Sequence, residues 1–212
     1  MPPRTESTAA TRLGRGFYAR PTLEVAPGLL GRLLVFDGPR GPVGGRIVEV
    51  EAYAGTQDPA CHAAAGRTRR NASMWGIPGR AYVYFTYGMH HCLNVVTEPA
   101  GEPAAVLIRA LRPVLGQHLL ARRLPHRPPE RRLSGPGVVC AGLGLDLRHD
   151  GVDLVTGPLW IGRGRLRGVR VERSPRIGIR RAVERPWRFL WKGDRSVSGG
   201  ARPRRAAALT RG

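Results

Sequence analysis

Arg46-Ile-Val-Glu-Val-Glu-Ala-Tyr53 fixes the local structure more tightly than any other stretch of the chain. On a β-strand, side chains alternate between faces with period 2. Val48, Val50 and Ala52 then share one face, and Glu49, Glu51 and Tyr53 share the other. An apolar face able to pack inward is thus backed by two carboxylates, about 6–7 Å apart at a ~3.3 Å rise, and a ring. A carboxylate beside a ring can act as a general base next to a stacking platform. An ordinary strand with a solvated outer face would show the same pattern, so the neighbouring segments have to decide.

The next informative segment is Ala81-Tyr-Val-Tyr-Phe-Thr-Tyr-Gly-Met-His-His-Cys-Leu-Asn94. Aromatic and β-branched residues from Tyr82 to Tyr87 favour a strand. Gly88 suits a turn, and His91–Val96 reads as the returning strand. Tyr87 then sits at or beside a hairpin tip, where a ring is poorly buried. The segment holds three of the five tyrosines of the chain, and a hairpin with every tyrosine packed on a core is the competing reading.

Lys+Arg outnumber Asp+Glu by 35 to 15, a formal charge of +20 with a pI near 11.6. Such a charge favours polyanionic partners, nucleic acid foremost. Lys192 is the single lysine among many Arg, Gly, Pro and Ala, which indicates a high-G+C coding bias. That bias explains the choice of arginine, but not the twofold excess of base over acid. No apolar run approaches the ~20 residues of a membrane span. Met1–Gly16 lacks the apolar core of a signal peptide. Three scattered cysteines, Cys61, Cys92 and Cys140, make a disulfide framework improbable. The expectation is an intracellular, reduced protein of 212 residues, large enough for one substantial core.

Along the chain, residues 1–16 read as a flexible leader and the residues beyond Gly199 as a disordered basic tail. Pro21–Leu34 has helical spacing, which Pro27 and Gly28 should divide into two short helices. Val43–Tyr53 is a strand, Ala54–Pro78 a loop with one helical turn, and Ala81–Val96 the hairpin. Ala104–Leu111 is a strand that Arg112-Pro113 should stop. Gly116–Leu124 and Val138–Leu145 read as helices. Pro158–Ile161 and Gly168–Arg173 read as short strands, and Arg176–Ile179 and Trp187–Trp191 as edges or loops. Strands with scattered helices and no βαβ alternation imply a mixed α+β domain.

His90-His91-Cys92 does not make a metal site, because adjacent strand residues point to opposite faces. Metal spacings of the Cys-x-x-Cys or His-Glu-x-x-His kind are missing, as is any glycine-rich phosphate loop, so neither metal nor nucleotide cofactor is expected. Arg67, Arg69 and Arg70 form a basic loop, either a solvated surface or a set of phosphate contacts. Arg109 lies inside the apolar run Val106–Leu111 and needs a partner, for which Glu51 is the natural candidate.

Together these segments resemble the alkyladenine (3-methyladenine) DNA glycosylase family, of the type without a helix-hairpin-helix. The resemblance runs from Phe17 to about Ser198. It rests on Leu29–Leu34, Gly45–Tyr53, Asp58-Pro-Ala-Cys-His62, Gly66–Asn71, Tyr82–Met89, Asn94, Val106–Leu111 and Pro186-Trp-Arg-Phe189. It implies one glycosylase domain over residues 17–198: a curved, mainly antiparallel sheet surrounded by helices, with a protruding β-hairpin. Glu51 would correspond to the general base that activates water, with Arg109 and the Ile177 carbonyl holding that water. Tyr53, His62 and Tyr84 would line the pocket around a flipped base, and electron-rich rings there would favour a cationic one. Asn94 would exclude guanine. Tyr87, supported by Met89, would fill the gap left in the DNA.

The implied activity is monofunctional excision of alkylated purines in base excision repair, without a cofactor. The implied substrate is double-stranded DNA containing alkylated or deaminated purines. The implied state is a monomer in the bacterial cytoplasm, held at the nucleoid by DNA. The alternative is a non-catalytic nucleic-acid-binding protein on the same scaffold, which would have no need of Glu51. One departure stands out: Gly135-Pro-Gly-Val-Val-Cys140 has Val138 where family members usually carry a lysine.

Overall fold

The computed structural model describes residues 11–199. Two short helices, α1 (Arg15–Tyr18) and α2 (Thr22–Leu29), precede the strands β1 (Arg32–Gly38) and β2 (Gly41–Tyr53). The hairpin follows as β3 (Ala81–Thr86) and β4 (His90–Thr97), and then the long β5 (Ala104–Leu115). Helices α3 (Gln117–Arg123) and α4 (Pro136–Leu143) lead to β6 (Leu159–Arg165), β7 (Val171–Ser174) and β8 (Arg188–Trp191). All strand pairs are antiparallel, in the order β3-β4-β5-β2-β1-β6, with β8 joining β2 to β7. This is the α+β architecture expected: one open, eight-stranded sheet with four helices.

The sheet is buried on both faces, and alternation sorts its residues between two clusters. Val50, Ala52, Ala81, Val83, Leu93, Val95, Val106 and Ile108 pack with Val25, Ala26 and Leu29 of α2 and with Val139 and Leu143 of α4 in the main core. The intervening positions Tyr82, Val96 and Ala105 turn the other way. There they meet Cys61, Ala63 and Met74 from the long connection between β2 and β3. Tyr53 and Tyr84 pack against that second cluster.

Three boundaries differ from expectation. Residues 12–16 belong to the fold rather than to a leader: Arg12 bridges to Gly162 and Leu13 is buried, while residues 1–10 lie outside the described residues. The expected tail from residue 200 also lies outside them. Helix α2 passes through Pro27 and ends two residues later, where the Leu30 N–H closes a tight turn on Pro27 O at 3.3 Å. No second helix follows. Gly31, at φ +80°, redirects the chain, and Leu33–Phe36 enter the sheet as a fully buried stretch of β1. A short apolar run with both faces buried has no period to separate strand from helix. Finally, β5 continues through Pro113. Proline cannot donate to a ladder, and here it sits opposite Gly45, where the β2–β5 register shifts.

Candidate active site

Alternation brings the candidate residues together on the second face. Glu49, Glu51 and Tyr53 come from β2, Tyr82 and Tyr84 from β3, Asn94 from β4 and Arg109 from β5. A cavity of about 490 Å³ opens there, lined by Tyr53, His62, Met74, Tyr82, Tyr84, Asn94, Arg109 and residues 177–181. Glu51 is 0 % exposed and is not part of that lining, but each group that holds it is.

Those groups are a tyrosine, a backbone amide and an arginine. The Ile177 N–H donates to Glu51 Oε1 at 2.7 Å, and Arg109 Nη1 faces the same oxygen at 3.3 Å. Tyr53 donates its hydroxyl to Oε2 at 2.9 Å. An ionised carboxylate offers about four acceptor positions. Two hydrogen bonds and the ionic contact to Arg109 leave acceptor capacity unused among the described residues, including a position on Oε2 beside Tyr53. Burial pushes the Glu51 carboxyl above the ordinary carboxylate range, against the downward pull of Arg109, Ile177 and Tyr53. The Ile177 amide thus ties residue 177 directly to the acid.

Arg109 is shared. Its Nε donates to Glu49 Oε1 at 2.9 Å, closer than its approach to Glu51. Glu49, to which the sequence assigned no role, therefore takes the shorter contact. Its position two residues from Glu51 on the same strand face was the available signal. A second group missed by sequence reasoning is the fully buried Arg176–Asp58 pair, with contacts of 2.5 and 2.8 Å. It ties the segment before Ile177 to the loop that leads to His62.

His62 accepts or donates at Nδ1 to the Tyr82 hydroxyl at 2.9 Å, and its ring meets Tyr84 edge-on at 4.5 Å. Burial, with help from Arg70, pushes the imidazole below its ordinary pKa, so the neutral form is favoured. Asn71 fixes this loop by donating its side-chain amide to the His62 and Gly66 carbonyls, both at 2.9 Å. Asn94 is buried and donates Nδ2 to Tyr82 O at 3.1 Å, which holds its amide plane against the strand. Two pocket tyrosines already carry a guanidinium over the ring: Arg176 over Tyr53 at 4.8 Å and Arg70 over Tyr84 at 5.4 Å. The attraction of these rings for any further cation is correspondingly weakened.

Tyr87 is 80 % exposed and Met89 71 %, at the tip between β3 and β4. Tyr87 holds φ +51°, a left-handed conformation costly for a residue with a Cβ. Arg67 and Arg69 are exposed, while Arg70 donates to the Phe85 carbonyl at 2.9 Å and braces the hairpin. Val138 sits half-buried in the first turn of α4. Among the described residues no three His, Cys, Asp or Glu side chains gather as a metal site, and no helix there is long and apolar enough to cross a membrane.

Comparison with known proteins adds a family. The Methylpurine-DNA glycosylase family matches residues 16–195. A protein of Rhodopseudomonas palustris (strain BisB18) named "Putative 3-methyladenine DNA glycosylase" is 47% identical over 194 residues, covering 90% of this chain and 94% of that protein. A protein of the same name from Methanocella arvoryzae is 47% identical over 191 residues, covering 88% and 95%. Another from Streptomyces avermitilis is 45% identical over 194 residues, covering 89% and 91%.

Proposed function

Since the chain belongs to the methylpurine-DNA glycosylase family, we propose that this DNA-3-methyladenine glycosylase flips an alkylated purine into the aromatic cavity and hydrolyses its N-glycosidic bond with water activated by Glu51. The observation that carries the reading is the setting of Glu51. It is a buried acid with a raised pKa and unused acceptor capacity, behind a wall of Tyr53, Arg109 and Ile177. A cavity of about 490 Å³ suits one planar ligand of purine size.

Extruding the nucleotide costs a few kcal/mol, which Tyr87 offsets by stacking in the vacated space. Tyr53, His62 and Tyr84 enclose the base, and the fixed amide of Asn94 crowds the exocyclic amino group that only guanine presents on its minor-groove edge. Glu51 takes a proton from water as the water oxygen bonds to the sugar carbon. The purine departs with the electron pair of the broken bond, and the charge on Glu51 stabilises the oxocarbenium-like sugar. Arg67 and Arg69 contact phosphates, and Met89 supports the tip. Lys192, in the turn after β8, pairs with Glu172 of β7 at 3.6 Å, so no lysine stands ready for a Schiff base and the enzyme is monofunctional. We read it as a monomer acting on nucleoid DNA in the bacterial cytoplasm.

The test is base release under single-turnover conditions from duplexes carrying 3-methyladenine, 7-methylguanine, hypoxanthine or ethenoadenine. Release of at least the first is expected, with the order of rates giving the substrate range. Binding to all four without release from any would sink the hydrolytic reading.

A further inference from the structure

Glu49 is buried as deeply as Glu51, two residues away on the same face of β2, yet the hydrolysis described above gives it no task. Its Oε1 accepts from Arg109 Nε at 2.9 Å and from Arg188 Nε at 2.7 Å. Its Oε2 accepts the Ser198 N–H at 2.5 Å. Arg188 donates onward to Ser174 Oγ and to Ser198 O, both at 2.9 Å, and Arg109 Nη2 reaches Ser198 Oγ at 3.3 Å. A guanidinium is a rigid planar fork. With Nε and Nη2 both anchored, the direction of Nη1 is fixed as well, and Nη1 is the group that faces Glu51.

Charge balance alone would account for some of this, since two buried carboxylates match two buried arginines. It does not account for the asymmetry. Arg109 gives Glu49 a short hydrogen bond and Glu51 a longer ionic contact. An arginine spent wholly on Glu51 would hold that carboxylate too firmly ionised to accept a proton readily. We propose that Glu49 is a positioning residue for the reaction, acting through Arg109: it draws the guanidinium partly away from Glu51 while fixing its plane. This rests on the reading of Glu51 as the general base.

The groups around Glu51 are Arg109 from β5, Glu49 and Tyr53 from β2, Cys92 from β4, and the Ile177 amide with Arg176 after β7. Changing Glu49 alone alters one charge among them. The experiment follows the single-turnover rate against pH for a duplex carrying one 3-methyladenine, in wild type, Glu49→Gln and Glu49→Gln/Arg188→Met. The double variant keeps the buried charges balanced, so it guards against simple unfolding. The acid limb should move down by about one pH unit and the plateau rate should fall about tenfold, with affinity for undamaged duplex unchanged. An unshifted acid limb with a wild-type plateau, in a variant that melts cooperatively, would overturn the proposal. So would a loss of rate matched by an equal loss of affinity, which marks a structural role. Absence of release by wild type would take down the hydrolytic reading and this proposal with it.

Discussion

In its proposed role as the base, Glu51 pulls stability and chemistry in opposite directions. A carboxyl raised in the folded state costs stability as pH climbs from its ordinary value to its folded one. Glutamine carries no such cost, and Arg109 keeps Glu49 as its partner. Glu51→Gln should therefore abolish base release, by about two orders of magnitude or more, yet melt higher than wild type. The gap in Tm should be small near pH 4.5, the ordinary value, and widen toward neutrality. A variant that melts lower at neutral pH would contradict the raised carboxyl. Asn94 makes a second test. Its amide is pinned to Tyr82 O, so Asn94→Ser should relieve crowding and raise release of undamaged guanine relative to 3-methyladenine by about tenfold. An unchanged ratio in a folded, active variant would place the selectivity elsewhere. The sequence indicated Glu51, Tyr53 and Arg109 because alternation and an isolated charge are local signals. The roles of Glu49, Asp58 and Arg176 escaped it because they depend on partners 60 to 149 residues away.

At the scale of elements, the hairpin and β2 were legible because period 2 and a glycine turn were both present. The β1 strand was not, since its apolar run lacks a period, and β5 outran Pro113 because a register shift made room for it. The hairpin tip sets up a test of its own. Tyr87 sits at φ +51°, which a glycine adopts without strain. Tyr87→Gly should leave stability unchanged or raised, while flipping falls by one to two orders of magnitude for about 1–3 kcal/mol of lost stacking. Fluorescence of a base analogue at the lesion reports the flipping. A large loss of Tm instead would mean the ring is a packing element. The Asp58–Arg176 pair joins two segments, and removing one partner strands a buried charge. Asp58→Asn should cost about 3–5 kcal/mol in denaturant unfolding; a cost under about 1 kcal/mol would show that the pair is solvated.

Across the whole molecule, the charge of +20 was evident from composition, but not its division of labour. Arg109, Arg176 and Arg188 turn inward, on Glu49 and Asp58, while Arg67 and Arg69 stay exposed. Only the outward set can displace counterions from DNA. Arg67→Gln/Arg69→Gln should flatten the dependence of log K on log[salt] by roughly 2, at about 0.9 per phosphate contact, leaving the rate from the preformed complex intact. An unchanged slope would assign these residues to solvent. The contacts around Glu49 also span the chain: the strand bearing Glu49 and Glu51 is completed by the Ser198 amide, 149 residues later. On a ribosome, then, the carboxylate pair emerges early and waits through most of synthesis for its last donor. A stalled or prematurely ended chain would carry the exposed arginines proposed to contact DNA without the finished setting of the proposed base.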